Sequence, residues 1–185
     1  RYTRMSLLKV DTIQGRSGSE IAVNSGHYIH QAGIPIQVVT YSDIITTNNI
    51  ITSTSYTDIE QSSGTKLEIK ITPKKANSKI ILIGSAQTYH EYAGQVAKVI
   101  ALRDISGGTS DTQVSQYRFR DENEPNNYNT NSPKPYNFVD TPNTTSEVTY
   151  HFQAKVENSS AEFSWVAAST EHGNSQTFIL WEMGV

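Results

Sequence analysis

Apolar and polar residues alternate along much of this chain with a period of two, and no segment sustains a period of 3.6. In "KLEIKI" the apolar set Leu67, Ile69 and Ile71 interleaves with Lys66, Glu68 and Lys70, which predicts a strand with one dry and one wet face. Pro73 removes a backbone donor and ends that ladder, and the polar run "KKANSK" turns the chain into "IILIGSA" as a hairpin or a corner between two sheets. Ile80 to Ile83 is apolar at every position and predicts a strand buried on both faces. The same grammar predicts strands over Ile36–Tyr41, Ile50–Ile59, Val96–Leu102, Val114–Phe119, Val148–Val156 and Glu162–Ala167. In "VTYHFQAKV" the set Val148, Tyr150, Phe152, Ala154, Val156 faces one way and Thr149, His151, Gln153, Lys155 the other. The final "TFILWEM" is apolar on both sides and belongs in the centre of a sheet. About eight to ten strands with essentially no helix predict a sandwich or barrel.

Two regions break this pattern. Residues 5–35 hold short strand-like pieces, Leu8–Ile13, Ile21–Val23 and Tyr28–His30, separated by Gly-Ser turns and too short to make a core of their own. Arg120 to Asn137 reads as a long Asn-rich connection without structure, and loops of that length are usually functional or mobile. The chain of 185 residues is otherwise about one domain, with an N-terminal segment over 5–35 and a head over 36–185. Met5, behind the four residues "RYTR", is a candidate for the natural start, and those four carry none of the functional argument.

Composition narrows the function. Charged residues make up only 18% and the net charge is −3, so no cationic stripe is available to neutralise a phosphate backbone, and nucleic acid is not expected as a partner. No Cys is present, which excludes disulfides and thiolate metal sites. No run approaches the length of a membrane span, so membrane insertion is not expected either, and no export signal is visible.

Candidate chemistry is sparse. His27 and His30 in "HYIH" fall on opposite faces of a strand-like piece, which disfavours a shared metal. "YHEY", Tyr89 to Tyr92, reads as a loop apex with aromatic contacts. Asp121, Glu122 and Glu124 crowd carboxylates into the long connection, where nothing holds them at the fixed separation that glycosidase chemistry needs. "RDISGGTSD", Arg103 to Asp111, lacks the spacing of a calcium loop and reads as a hairpin turn at Gly107-Gly108. Trp165 and Trp181 lie in strands and read as core. Catalytic residues, cofactors and metal sites are therefore all expected to be absent.

The order "LKVDTIQ", "SGHYI", "GIPIQVVT", "TSTSYTDI", "ITPKKANSKIILIGSA", "YNFVDTPNTTSEVTYHFQAKV" and "FILWEMG" resembles small virion structural and tail-fibre proteins of tailed bacteriophages, especially aquatic ones. The most specific piece is Thr72-Pro73 to Ile83 in its position after "TSTSYTDI". The resemblance implies an all-β protein with a jelly-roll-like antiparallel β-sandwich head, a short extended N-terminal attachment segment, and a homotrimer exposed on the virion after assembly in the host cytoplasm. It implies no catalytic residues. Adhesion to a host cell-surface glycan or protein is the leading function, and a capsid-decorating or tail-connecting protein is the alternative. Binding residues concentrate on loops held by a rigid scaffold, so the receptor contacts are expected at Asn126, Asn127, Tyr128, Asn129, Asn131 and Tyr136, joined by His90 and Tyr92.

Overall fold

The computed structural model describes residues 34–91, 96–120, 130–166 and 176–184, with the backbone alone for 90–91 and 130–132. The described residues belong to one unit, Gln31–Val185. The expected N-terminal segment, apart from Ile34 and Pro35, lies outside them, as do His27, His30, Asp121, Glu122 and Glu124.

The protein is all-β and antiparallel, a jelly-roll-like sandwich. Its strands are β1 (Pro35–Ser42), β2 (Asn49–Ile51), β3 (Thr57–Asp58), β4 (Glu60–Ser62), β5 (Thr65–Lys66), β6 (Ile69–Ile71), β7 (Lys79–Glu91), β8 (Val96–Ile105), β9 (Thr112–Arg120), β10 (Thr130–Asp140), β11 (Val148–Val156), β12 (Glu162–Trp165) and β13 (Thr177–Met183). A six-stranded sheet is organised around β7, which carries β10 along one edge and β13 then β12 along the other, with β1 beyond β13 and β2 beyond β12. A five-stranded sheet has the order β3-β11-β8-β9, with β6 also paired to β11. The pair β4-β5 stands apart.

Alternation explains the core. Val148, Tyr150, Phe152, Ala154 and Val156 are all buried, as their spacing requires. Facing them from the six-stranded sheet are Ile80, Leu82, Tyr136, Phe138, Phe163, Trp165, Phe178 and Leu180. Tyr136 stacks on Trp165 at 4.6 Å between ring centroids, and Phe152 lies 5.4 Å from the same indole. Such aromatic pairs contribute about 0.5–1.5 kcal/mol each beyond the area they bury. Gly84, in mid-strand, makes room for this layer, because a Cβ there would overlap the Phe178 ring.

The stretch after Pro73 is a corner, not a hairpin, since it leaves β6 in one sheet and enters β7 in the other. Buried Glu182 holds it: the carboxylate accepts the Lys74 and Lys75 backbone N–H groups at 2.8 and 3.0 Å and the Ser78 hydroxyl at 2.7 Å. Gln37 donates its amide to the same carboxylate at 2.8 Å and to the Thr72 carbonyl at 2.7 Å. A second tie joins the sheets where Arg103 of β8 donates to both oxygens of Asp140 on β10, at 2.7 and 2.9 Å. The Tyr150 hydroxyl donates to Asp140 as well, at 2.9 Å, and burial together with that carboxylate raises the Tyr150 phenol far above the ordinary tyrosine range.

Three strand expectations are corrected. Ile50–Ile59 is two short strands, because the Ser53 hydroxyl engages the Ser55 backbone on both sides and turns the chain. Thr130–Asn137 is strand, not loop. Its prolines, Pro133 and Pro135, share one parity on an edge strand, so both ring nitrogens face away from β7 and no ladder bond is lost. Finally, only one face of Ile80–Ile83 is dry: Ile80 and Leu82 are fully buried, whereas Ile83 is 41% exposed.

Candidate interaction surface

Cross-strand partners in an antiparallel sheet share a face, so the register of the six-stranded sheet defines what its outer side presents. One row crosses four strands as Val139, Ile81, Trp181 and Val38. The next row holds Asn137, Ile83, Ile179 and Thr40, and the one after it Pro135, Ser85, Thr177 and Ser42. Val38 is 53% and Val139 58% exposed, so the rim of the apolar row is open to solvent. No residue in these three rows is charged. At about 4.8 Å per strand each row is roughly 14 Å wide, and the apolar part is the first row with Ile83 and Ile179 of the second, bordered by Ser85, Thr177 and Ser42 of the third.

The outer side of the other sheet has the opposite character. Lys98 pairs with Glu157 at 2.7 Å, and Arg118 approaches the same carboxylate at 3.6 Å. The bond from Lys98, with the field of both cations, holds the Glu157 carboxyl below its ordinary range. Lys66 pairs with Asp58 at 3.0 Å. Burial pushes the Asp58 carboxyl up, but the Gln153 amide and the Lys66 ammonium outweigh it and the net shift is downward. Lys155 lies 4.7 Å above the Tyr56 ring. Ion pairs line this side around Ile100 and Leu102, which share the Lys98 side of β8 and are buried, whereas the three outer rows of the six-stranded sheet hold no charge at all.

The expected receptor residues divide. Tyr136 is corrected outright: it is fully buried, stacked on Trp165, and presents nothing to a partner. Asn126, Asn127, Tyr128, Asn129 and Tyr92 lie outside the described residues. His90 and Asn131 are placed by their backbones, His90 near the end of β7 opposite Thr130 and Asn131 opposite Tyr89. The register therefore brings the end of "YHE" and the start of β10 to the same end of one sheet, and Tyr89 to Glu91 are strand, not a loop apex. Of the two tryptophans, Trp165 is core and Trp181 belongs to the outer apolar row.

Neither a family model nor a curated protein matches the sequence. Among solved structures, the chain is similar to the VP2 subviral particle of infectious bursal disease virus, with 12% identity, a TM-score of 0.37, and coverage of 90% of this chain and 42% of that one. A structure of the Gt strain of the same virus gives the same values. The T13 particle of that virus gives 11% identity and a TM-score of 0.37 over 90% of this chain and 40% of its own. The chain thus spans about two fifths of the length of those solved chains.

A run such as "IILI", apolar at every position, leaves two readings open in sequence, the inside of a two-sheet head or a face closed off by another subunit, and the register puts Ile80 and Leu82 on the inside and Ile81 and Ile83 on the outer face. Sequence reasoning missed a trio of metal-ligand types that the fold brings together, Asp104, Asp111 and His151.

Proposed function

We propose that this chain is a non-enzymatic structural component of a viral particle, a short tail-fibre or receptor-binding head that assembles as a homotrimer through the outer face of its six-stranded sheet. The observation that carries the reading is the uncharged apolar row Val139-Ile81-Trp181-Val38, continued by Ile83 and Ile179. The occupant is a second copy of the chain. A face without charge meets its own copy without like-charge repulsion, and aromatic and aliphatic groups depleted of charge are what the centre of a subunit interface contains. Threefold symmetry and a place on the virion come from the resemblance to tailed-bacteriophage fibre proteins.

On this reading residues 5–35 attach the head to other virion proteins, and the loop end of the sandwich meets a host glycan or protein. The contacts there are Asn126, Asn127, Tyr128, Asn129 and Asn131 with His90 and Tyr92. Immunogold labelling of intact particles with an antibody against residues 36–185 tests the placement. Label at the distal tail is the expected result. Label spread over the capsid lattice replaces the adhesion role with capsid decoration.

A further inference from the structure

We infer that Asp104, Asp111 and His151 form a binding site for one divalent transition-metal ion, with Zn²⁺ the best fit. Asp104 is the penultimate residue of β8, Asp111 precedes β9 across the hairpin turn, and His151 lies on β11, the neighbour of β8. One ligand atom from each falls within 4.8 Å of the others.

The case does not rest on the carboxylates. His151 is only 1% exposed, and neither ring nitrogen has a hydrogen-bond partner among the described residues. Its Nε2 stands 3.4 Å from Asp104 Oδ2 and 3.4 Å from Asp111 Oδ1, equidistant, longer than an ordinary hydrogen bond, and hydrogen-bonded to neither. A buried imidazole aimed between two carboxylates at that distance has the geometry of ligands around a shared centre. In a tetrahedron with metal–ligand bonds of about 2.1 Å, neighbouring ligand atoms are about 3.4 Å apart. Ca²⁺ would need roughly six to eight oxygens at longer distances, so one nitrogen and two oxygens favour zinc-like ions.

The surroundings orient the donors. The Asp111 backbone N–H donates to Asp104 Oδ1 at 2.6 Å, which leaves Oδ2 turned toward His151. Asp111 has φ of +52°, a conformation that Asp tolerates better than most residues, and it carries the carboxylate back over β11. Lys66 is the cation whose field reaches both aspartates, and it is already paired with Asp58. The ion would pin the β8–β9 turn to β11, with water completing the fourth position.

The test uses the purified 185-residue chain, stripped with chelator and titrated with Zn²⁺ by calorimetry, with Co²⁺ as a spectroscopic probe. Expected are one Zn²⁺ held through the trio, a higher melting temperature, and the intense visible absorption of four-coordinate Co²⁺. His151→Ala removes a buried ring and risks misfolding, so Asp111→Asn decides: its side chain is 64% exposed and Asn accepts the same φ. It should melt like the metal-free wild type, lose the thermal shift, and bind Zn²⁺ at least tenfold more weakly. Because His27 and His30 offer zinc ligands of their own, the comparison between the two proteins carries the decision. No Zn²⁺-dependent shift in the wild type, or an equal shift in Asp111→Asn, overturns the site.

Discussion

Glu182 on β13 accepts the hydroxyl of Ser78 at 2.7 Å, joining the last strand to the corner that turns one sheet into the other. With the N–H groups of Lys74 and Lys75 and the amide of Gln37, the buried carboxylate has only donors around it. Glu182→Gln keeps the volume but turns an amide NH₂ toward other donors. It should cost about 2–4 kcal/mol in chemical denaturation, since hydrogen bonds to a charged group contribute roughly 1.5–3 kcal/mol each. A loss under half a kcal/mol would show that the corner holds itself.

Tyr136 makes the opposite case. Its ring is central to the aromatic core, yet its buried hydroxyl has no hydrogen-bond partner among the described residues. Tyr136→Phe should leave stability unchanged or raise it by about 1 kcal/mol, while Tyr136→Ala should cost about 3–5 kcal/mol. A destabilised Phe variant would point to a buried water that the hydroxyl satisfies.

Alkaline pH should unfold the protein through its core tyrosines. Burial raises the Tyr136 phenol well above its ordinary value, and burial with the neighbouring Asp140 raises Tyr150. A raised folded-state pKa means that the contribution is fully present below about pH 10, where the unfolded phenol titrates, and is lost as pH rises beyond it. Each such tyrosine removes about 1.4 kcal/mol per pH unit above that point. Burial raises the Tyr117 phenol as well, so Tyr150→Phe should flatten the slope of stability against pH between 10 and 11 without abolishing it, and an unchanged slope would mean that Tyr150 is not protected.

Much of this fold is legible in the sequence, and the exceptions have physical causes. Val148–Val156 matches the strand that alternation predicts, with the sandwich core on one side, and Thr177–Met183, expected at the centre of a sheet, lies between β1 and β7. Thr130–Asp140 was hidden by Pro133 and Pro135, which read as loop unless the strand is known to lie at an edge. Ile81 and Ile83 read as core because a run without a polar residue does not say which of its two faces is dry. His151 stands in the polar half of its strand, and its partners Asp104 and Asp111 are brought to it only by strand pairing, so no local motif announces the trio.

If the outer apolar face joins copies of the chain, the mass in solution shows it. Light scattering on the purified chain of 20.5 kDa should give three times that mass. The double variant Val38→Lys with Val139→Lys, at positions 53% and 58% exposed and thus tolerant of charge within one subunit, should give 20.5 kDa with an unaltered circular-dichroism spectrum. A wild-type chain that is monomeric at micromolar concentration, or a folded double variant that still trimerises, would contradict it.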